Sequence, residues 1–175
     1  MGIYLLGGQV NKFEYNRSVW LITSDSKSFN KSAQPSKGQV EYLVNVEKLK
    51  IEGPEPTPRA LQTAVFYKIY IIVFGGRNAS IEGYCLNDLV VLNLNILTWQ
   101  PVIVYGFIPS KRWGHVMTIE KDSIFIFGGI SEGQFASTTV YCAELNKKLV
   151  KEHIEECKNM KNKLESETNQ LKNFL

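Results

Sequence analysis

Histidine and cysteine are scarce, and long apolar runs are missing. The 175 residues include two histidines, His115 and His153, and three cysteines, Cys85, Cys142 and Cys157. No CxxC, HxH or HExxH spacing occurs, and no cysteine stands beside a histidine in a cluster, so neither a zinc nor a copper site is expected. Three cysteines make a poor disulfide framework. Isolated thiols serve as small apolar residues, and a reducing, cytoplasmic location is expected. Ser110 lies near His115 in sequence, but no acidic residue accompanies them, which leaves a hydrolytic triad without its third member. The recurring glycines stand in pairs, and no GxGxxG or GxxxxGK[ST] occurs, so no phosphate-cradling loop and no cofactor are expected. No run nears the roughly 18 apolar residues of a membrane span. The apolar start, Ile3–Leu6, is too short for a secretory signal, and Leu6 stands where a myristoylation signal needs Ser or Thr. A net charge of +3 is too mild to argue for nucleic acid.

What is present is repetition. The chain is organised around Lys68–Trp99, KIYIIVFGGRNASIEGYCLNDLVVLNLNILTW. Ile69–Phe74 and Leu89–Leu94 have strand length and are rich in β-branched and aromatic residues. Gly75-Gly76 is expected to end the first run in a turn that other residues resist. IFIFGG at Ile124–Gly129 and IYLLGG at Ile3–Gly8 repeat the signature. Gly75-Gly76 and Gly128-Gly129 are 53 positions apart, as are Arg59 and Arg112. Two independent features sharing one offset indicate a duplicated unit. Gly7-Gly8 lies 68 positions before Gly75-Gly76. The excess falls in the polar stretch 23–39, which reads as a long loop.

The second unit reads as complete. Pro54, Pro56, Pro58 and Arg59 form a stiff opening. Strands are expected at Ala60–Tyr67, Ile69–Phe74, Leu89–Leu94 and Trp99–Val104, with a loop at Arg77–Leu86 before the third. The third unit opens at Pro109, Arg112 and His115 and has strands at Ser123–Phe127 and Thr139–Glu144. The first has strands at Ile3–Gly8, Val19–Ile22 and Val40–Val46.

From Lys147 the composition changes. Val150, Cys157, Leu164 and Leu171 are spaced by seven, with His153, Met160, Glu167 and Phe174 three after each. That heptad pattern predicts a helix over 147–175 that needs a partner surface, either a second copy, by self-association through the tail, or the sheet itself.

These residues resemble kelch repeats. The second unit carries Pro56, Arg59, Ile69–Gly76, Asn87-Asp88 and Trp99, and departs from the pattern at Gln62, where the family has His. The third carries Pro109, Arg112, His115 and Ser123–Gly129. The first has Ile3–Gly8. The resemblance covers 1–146 and implies a mainly β fold: a partial kelch β-propeller of about three blades, one of them complete, followed by the C-terminal α-helical tail. The blades divide as 1–53, 54–106 and 107–146. Because a propeller closes with about four to eight blades, a fragment of a longer gene product or an open array is expected.

The resemblance implies binding to other proteins, as a scaffold or adaptor without catalysis. The alternative is a fragment of a kelch-fold, oxidase-like enzyme whose catalytic residues lie outside this chain. Residues that recur with the repeat serve the repeat: Gly7, Gly8, Arg59, Gly75, Gly76, Trp99, Arg112, His115, Gly128 and Gly129 are read as structural, with the two arginines tying blade to blade. The loops after the glycine pairs differ between units and are the better functional candidates. Arg77, Asn78, Ser80 and Glu82, with Ser131, Glu132 and Gln134, are the candidate protein-binding residues.

Overall fold

The computed structural model describes residues 2–24, 44–81, 84–100, 102–131 and 138–145, with the isolated positions Glu155 and Asn159. Apart from those two positions, the expected tail helix lies outside the described residues. So do most of the 23–39 loop, Glu82, Glu132 and Gln134.

Among residues 2–145 that the structure describes, the elements are twelve strands. β1 (Gly2–Gln9), β2 (Tyr15–Ser24) and β3 (Val44–Lys48) form one antiparallel sheet in that order. β4 (Thr63–Tyr67), β5 (Tyr70–Arg77), β6 (Cys85–Asn93) and β7 (Thr98–Gln100) form a four-stranded meander. β8 (Arg112–Trp113) pairs with β11 (Ile130–Ser131), beside a sheet of β9 (Val116–Glu120), β10 (Ser123–Phe127) and β12 (Val140–Glu144) in the order β12-β10-β9.

β5 explains the packing. Its residues from Tyr70 to Gly76 are all buried, which requires cover on both faces, hence an unbroken apolar run without alternation. Ile71 and Val73 pack with Val19, Leu92 and Trp99, joined by Tyr4 and Leu6 of the first sheet. Tyr70, Ile72 and Phe74 pack with Met117, Ile124 and Ile126 of the third. The second sheet is therefore sandwiched between the other two. Asp122, in the β9–β10 turn, accepts a hydrogen bond from the Tyr67 hydroxyl and holds the second seam at its far end.

Several expected boundaries shift. Gly75-Gly76 does not end its strand: β5 continues to Arg77, and the register slips between Phe74 and Gly76. The same slip occurs between Leu6 and Gly8. Both glycine pairs have positive φ and form bulges inside a strand. The first strand of the second sheet starts at Thr63, because Leu61 (φ 57°) turns the chain and leaves Ala60 bridged only to Arg77. Trp99–Val104 is not one strand. β7 stops at Gln100, and residues 102–108 are irregular, with Ile103, Tyr105 and Phe107 exposed as the chain crosses to the third sheet. In the first sheet the last strand is described from Val44 and runs to Lys48, two residues past its expected end, residues 40–43 lying outside the described residues, and Thr23 and Ser24 belong to β2 and not to the loop.

Candidate functional site

In each of the first two sheets the glycine pair and the loop that follows lie at one end, and the third glycine pair lies at the matching end of its sheet. The segments entering the second and third sheets, 57–62 and 109–115, reach that same end, because β4 and β9 run antiparallel to β5 and β10.

Arg59 is placed at the first seam by its main chain, whose carbonyl accepts from Gly8 N–H at 2.8 Å and whose N–H donates to Asn16 O at 3.2 Å. Its buried side chain turns into its own sheet. Nη1 donates to Gly75 O (3.1 Å), and the guanidinium forms a two-pronged pair with Asp88 at 2.7 and 2.6 Å. Arg112 repeats the arrangement with a different partner. Nη1 donates to Gly128 O (2.7 Å) and Nη2 to the Tyr141 hydroxyl (3.0 Å), with the guanidinium 4.6 Å from the centre of that ring.

Three residues after each arginine stands a polar group aimed at the preceding sheet. Gln62 Nε2 donates to Leu6 O at 2.7 Å. His115 Nε2 and Thr63 Oγ1 are hydrogen-bonded at 2.6 Å, and the ring stands edge-on to Phe74. Gln62 therefore fills the histidine position, bonding the carbonyl before the first glycine pair where His115 bonds a threonine hydroxyl and packs on the residue before the second. His115 is 3% exposed. Its pKa is lowered from 6.5 to about 4, chiefly by burial and secondly by the Arg112 charge, with the Phe74 main chain pulling the other way.

The imidazole is thus neutral in the fold and charged in the unfolded chain between about pH 4 and 6.5. The unfolded state binds the extra proton there, so the stability this group contributes is complete above pH 6.5 and is lost as pH falls toward 4. Lowering pH from 7 to 4.5 is expected to remove about 2–3 kcal/mol through this group. Urea unfolding at the two pH values checks it: His115→Gln should show a pH dependence smaller by that amount. An unchanged dependence would assign the acid sensitivity to other groups.

Above these seams the loops meet. Asn11 Oδ1 accepts from the N–H groups of Phe13 and Glu14, both at 3.0 Å, closing the β1–β2 turn with Phe13 70% exposed. Ser80 Oγ donates to Phe13 O at 2.6 Å, joining the loops of the first and second sheets. The Arg77 guanidinium lies 5.2 Å from the centre of the Trp113 ring, joining the second to the third. Tyr84, Leu61 and Val10 are exposed on these same segments. The result is a polar surface studded with apolar tips that spans all three sheets.

Of the expected surface residues, Arg77 and Ser80 lie in this face. Asn78 does not. It is buried, donating Nδ2–H to Pro58 O at 2.8 Å and accepting Ser80 N–H at 2.9 Å, because its amide stands in for main-chain partners inside the turn. Ser131 is also buried, 3.1 Å from Ser110 Oγ. Phe13, Tyr84 and Trp113 were not singled out, although the first two fall in the loops whose variation marked them. Among the described residues no group of three or more His, Cys, Asp or Glu is placed to hold a metal, and no helix is long and apolar enough to cross a membrane.

Comparison with known proteins agrees with this architecture. The family model "KLHDC2/KLHL20/DRC7 Kelch-repeats domain" matches residues 2–165. Human host cell factor 2 is 32% identical over 135 residues, covering 72% of this chain and 16% of that protein. Tip elongation aberrant protein 1 of Schizosaccharomyces pombe is 26% identical over 145 residues, covering 82% and 11%. Rab9 effector protein with kelch motifs of Xenopus laevis is 32% identical over 89 residues, covering 49% and 24%. The chain thus spans a quarter or less of these relatives' lengths. A chain in the cryo-EM structure of RAG in complex with one melted and one unmelted RSS superposes with a TM-score of 0.59 at 16% identity, covering 83% of this chain and 47% of that one. That likeness is one of fold.

Proposed function

The chain belongs to the kelch-repeat family, and from that premise we propose that it is a protein-interaction module, a scaffold or adaptor without catalysis of its own. Kelch domains typically bind other proteins. The observation that carries the reading for this chain is the loop end, where the exposed Phe13 and Tyr84 and the half-buried Trp113 share one connected surface with Arg77 and Ser80. Exposed aromatic tips among polar groups, on a rigid sheet scaffold, are the composition of protein-binding surfaces. The blade divisions at 53 and 106 belong to this proposal, as does a helical, self-associating tail over 147–175. Cys85 and Cys142 take part in no disulfide, which suits the proposed cytoplasmic location.

Affinity capture with the full chain tests the face. Phe13→Asp combined with Tyr84→Asp is expected to weaken retention of bound proteins by roughly tenfold or more, as loss of exposed aromatic anchors does. Asn95→Asp, in the turn at the opposite end of the second sheet, should leave retention unchanged. If both variants retain the same proteins as the unaltered chain, the loop end is not the binding face.

A further inference from the structure

Leu61 and Tyr84 hold a backbone that does not suit them. Both have positive φ, 57° and 48°, and both leave a large apolar side chain about half exposed, at 50% and 57%. Glycine or asparagine takes that backbone with less strain. Packing inside the protein can offset such strain, but side chains this exposed recover little of it. Three other non-glycine residues of the described chain have positive φ, and they lie in the turns at the opposite end. Two are lysines, Lys68 and Lys121, and the third, Leu97, is half-buried. Among the described residues, only Leu61 and Tyr84 combine this strain with an exposed apolar side chain.

The two stand on either side of Arg77. Ala60, next to Leu61, exchanges main-chain hydrogen bonds with Arg77 at 2.9 and 2.8 Å, and Cys85, next to Tyr84, faces Arg77 in the β5–β6 register. Two strand spacings, about 10 Å, therefore separate the segments that carry them. Leu61 O also accepts from Gly114 N–H at 3.0 Å, which brings Trp113 to the same place. Between the two, the half-buried Arg77 side chain rests on the Trp113 ring. Its Nε is buried without a hydrogen-bond partner among the described residues.

We infer that Leu61 and Tyr84 are the anchors of the loop-end surface, and that they hold an extended partner segment by an apolar side chain seated between them over Arg77. The inference rests on the loop-end reading and names the chemistry of its partner. A separation of about 10 Å admits one side chain with an apolar neighbour on each side. The main-chain carbonyls of that segment are the acceptors an apolar peptide brings, and the Arg77 guanidinium is a donor group short of acceptors. The strain at Leu61 and Tyr84 is kept because their side chains serve binding and not the fold.

Panning a phage-displayed library of random peptides of about twelve residues on the immobilised full chain tests it. The selected peptides are expected to share an apolar residue. A synthetic copy of the tightest should bind with an affinity that changes less than about twofold between low and high salt. Leu61→Asn and Tyr84→Asn should each weaken that peptide by roughly tenfold or more. Neither should lower the thermal midpoint, and each should raise it by up to about 2–4 °C, because asparagine relieves the backbone. A residue that serves the fold cannot give this crossed result. Panning that enriches no peptide overturns the proposal, as do peptides without a shared apolar residue, binding lost in high salt, or asparagine variants less stable than the unaltered chain. Peptides that bind both asparagine variants undiminished but lose affinity for Phe13→Asp overturn the anchors and leave the loop end as the binding face. Peptides that bind all three variants undiminished overturn both readings.

Discussion

Replacing Trp99 by Ala is expected to destabilise the protein by about 3–5 kcal/mol, the cost of truncating a fully buried large aromatic. Trp99 is 5% exposed and packs with Val19, Ile71, Val73 and Leu92. It therefore serves the first seam as well as its own sheet. Its main chain is used too: Trp99 N–H donates to Glu52 O, and Glu52 N–H donates to Leu97 O, both at 2.9 Å. These bonds tie the strand to the segment arriving from the first sheet. A cavity here removes packing from two sheets at once, so the loss should approach the whole stability of a marginal domain, about 5–15 kcal/mol. Trp113→Ala is the control. That ring is half-buried beneath Arg77, and its loss should cost about 1 kcal/mol through the cation–π contact. Urea unfolding followed by far-ultraviolet circular dichroism compares them. A Trp99→Ala change under about 1 kcal/mol would mean that the seam does not depend on this ring.

The strands and their spacing were legible because their cause is local. A run such as Ile69–Phe74 is apolar on both sides, and the 53-residue offset places the next such run. What sequence did not show is how the glycine pairs act. A positive φ reads as a turn, whereas in β1 and β5 it is absorbed as a bulge and the strand goes on. Val102–Val104, expected to extend the fourth strand, misled for the opposite reason. Apolar residues with strand propensity suggested pairing, but the chain must leave the sheet there to reach the third unit. The candidate surface was legible in place and less so in composition. The loops were found by their variation, but a polar side chain such as Asn78 can spend its hydrogen bonds on its own turn, and an exposed aromatic such as Phe13 carries no mark separating it from a core residue. The equivalence of Gln62 and His115 also needed structure. It rests on where each points, at Leu6 and at Thr63 beside Phe74.

The glycine pairs yield the second large effect, and here the structure supplies a matched control. Gly75 (φ +61°) and Gly114 (φ +63°) have nearly the same backbone conformation. A Cβ at Gly114 would meet nothing within 4 Å, whereas one at Gly75 would lie 2.7 Å from the main-chain oxygen of Arg112 and 3.0 Å from His115 Cε1. Gly114→Ala should therefore cost only the left-handed strain of an alanine, about 1–2 kcal/mol. Gly75→Ala adds to that the cost of forcing a carbonyl out of a packed seam, about a further 1–3 kcal/mol. The carbonyl cannot move alone, because Arg112 is pinned on its other side by bonds to Gly128 O and Tyr141. The first seam has the same geometry, with a Cβ at Gly7 (φ +64°) 2.7 Å from Arg59 O. Gly7→Ala should thus fall with Gly75→Ala and not with Gly114→Ala. Equal unfolding free energies for all three variants would reduce the glycines to a backbone preference. The expected ordering would show that the first glycine of the pair is there to let the arginine-bearing segment of the next sheet approach.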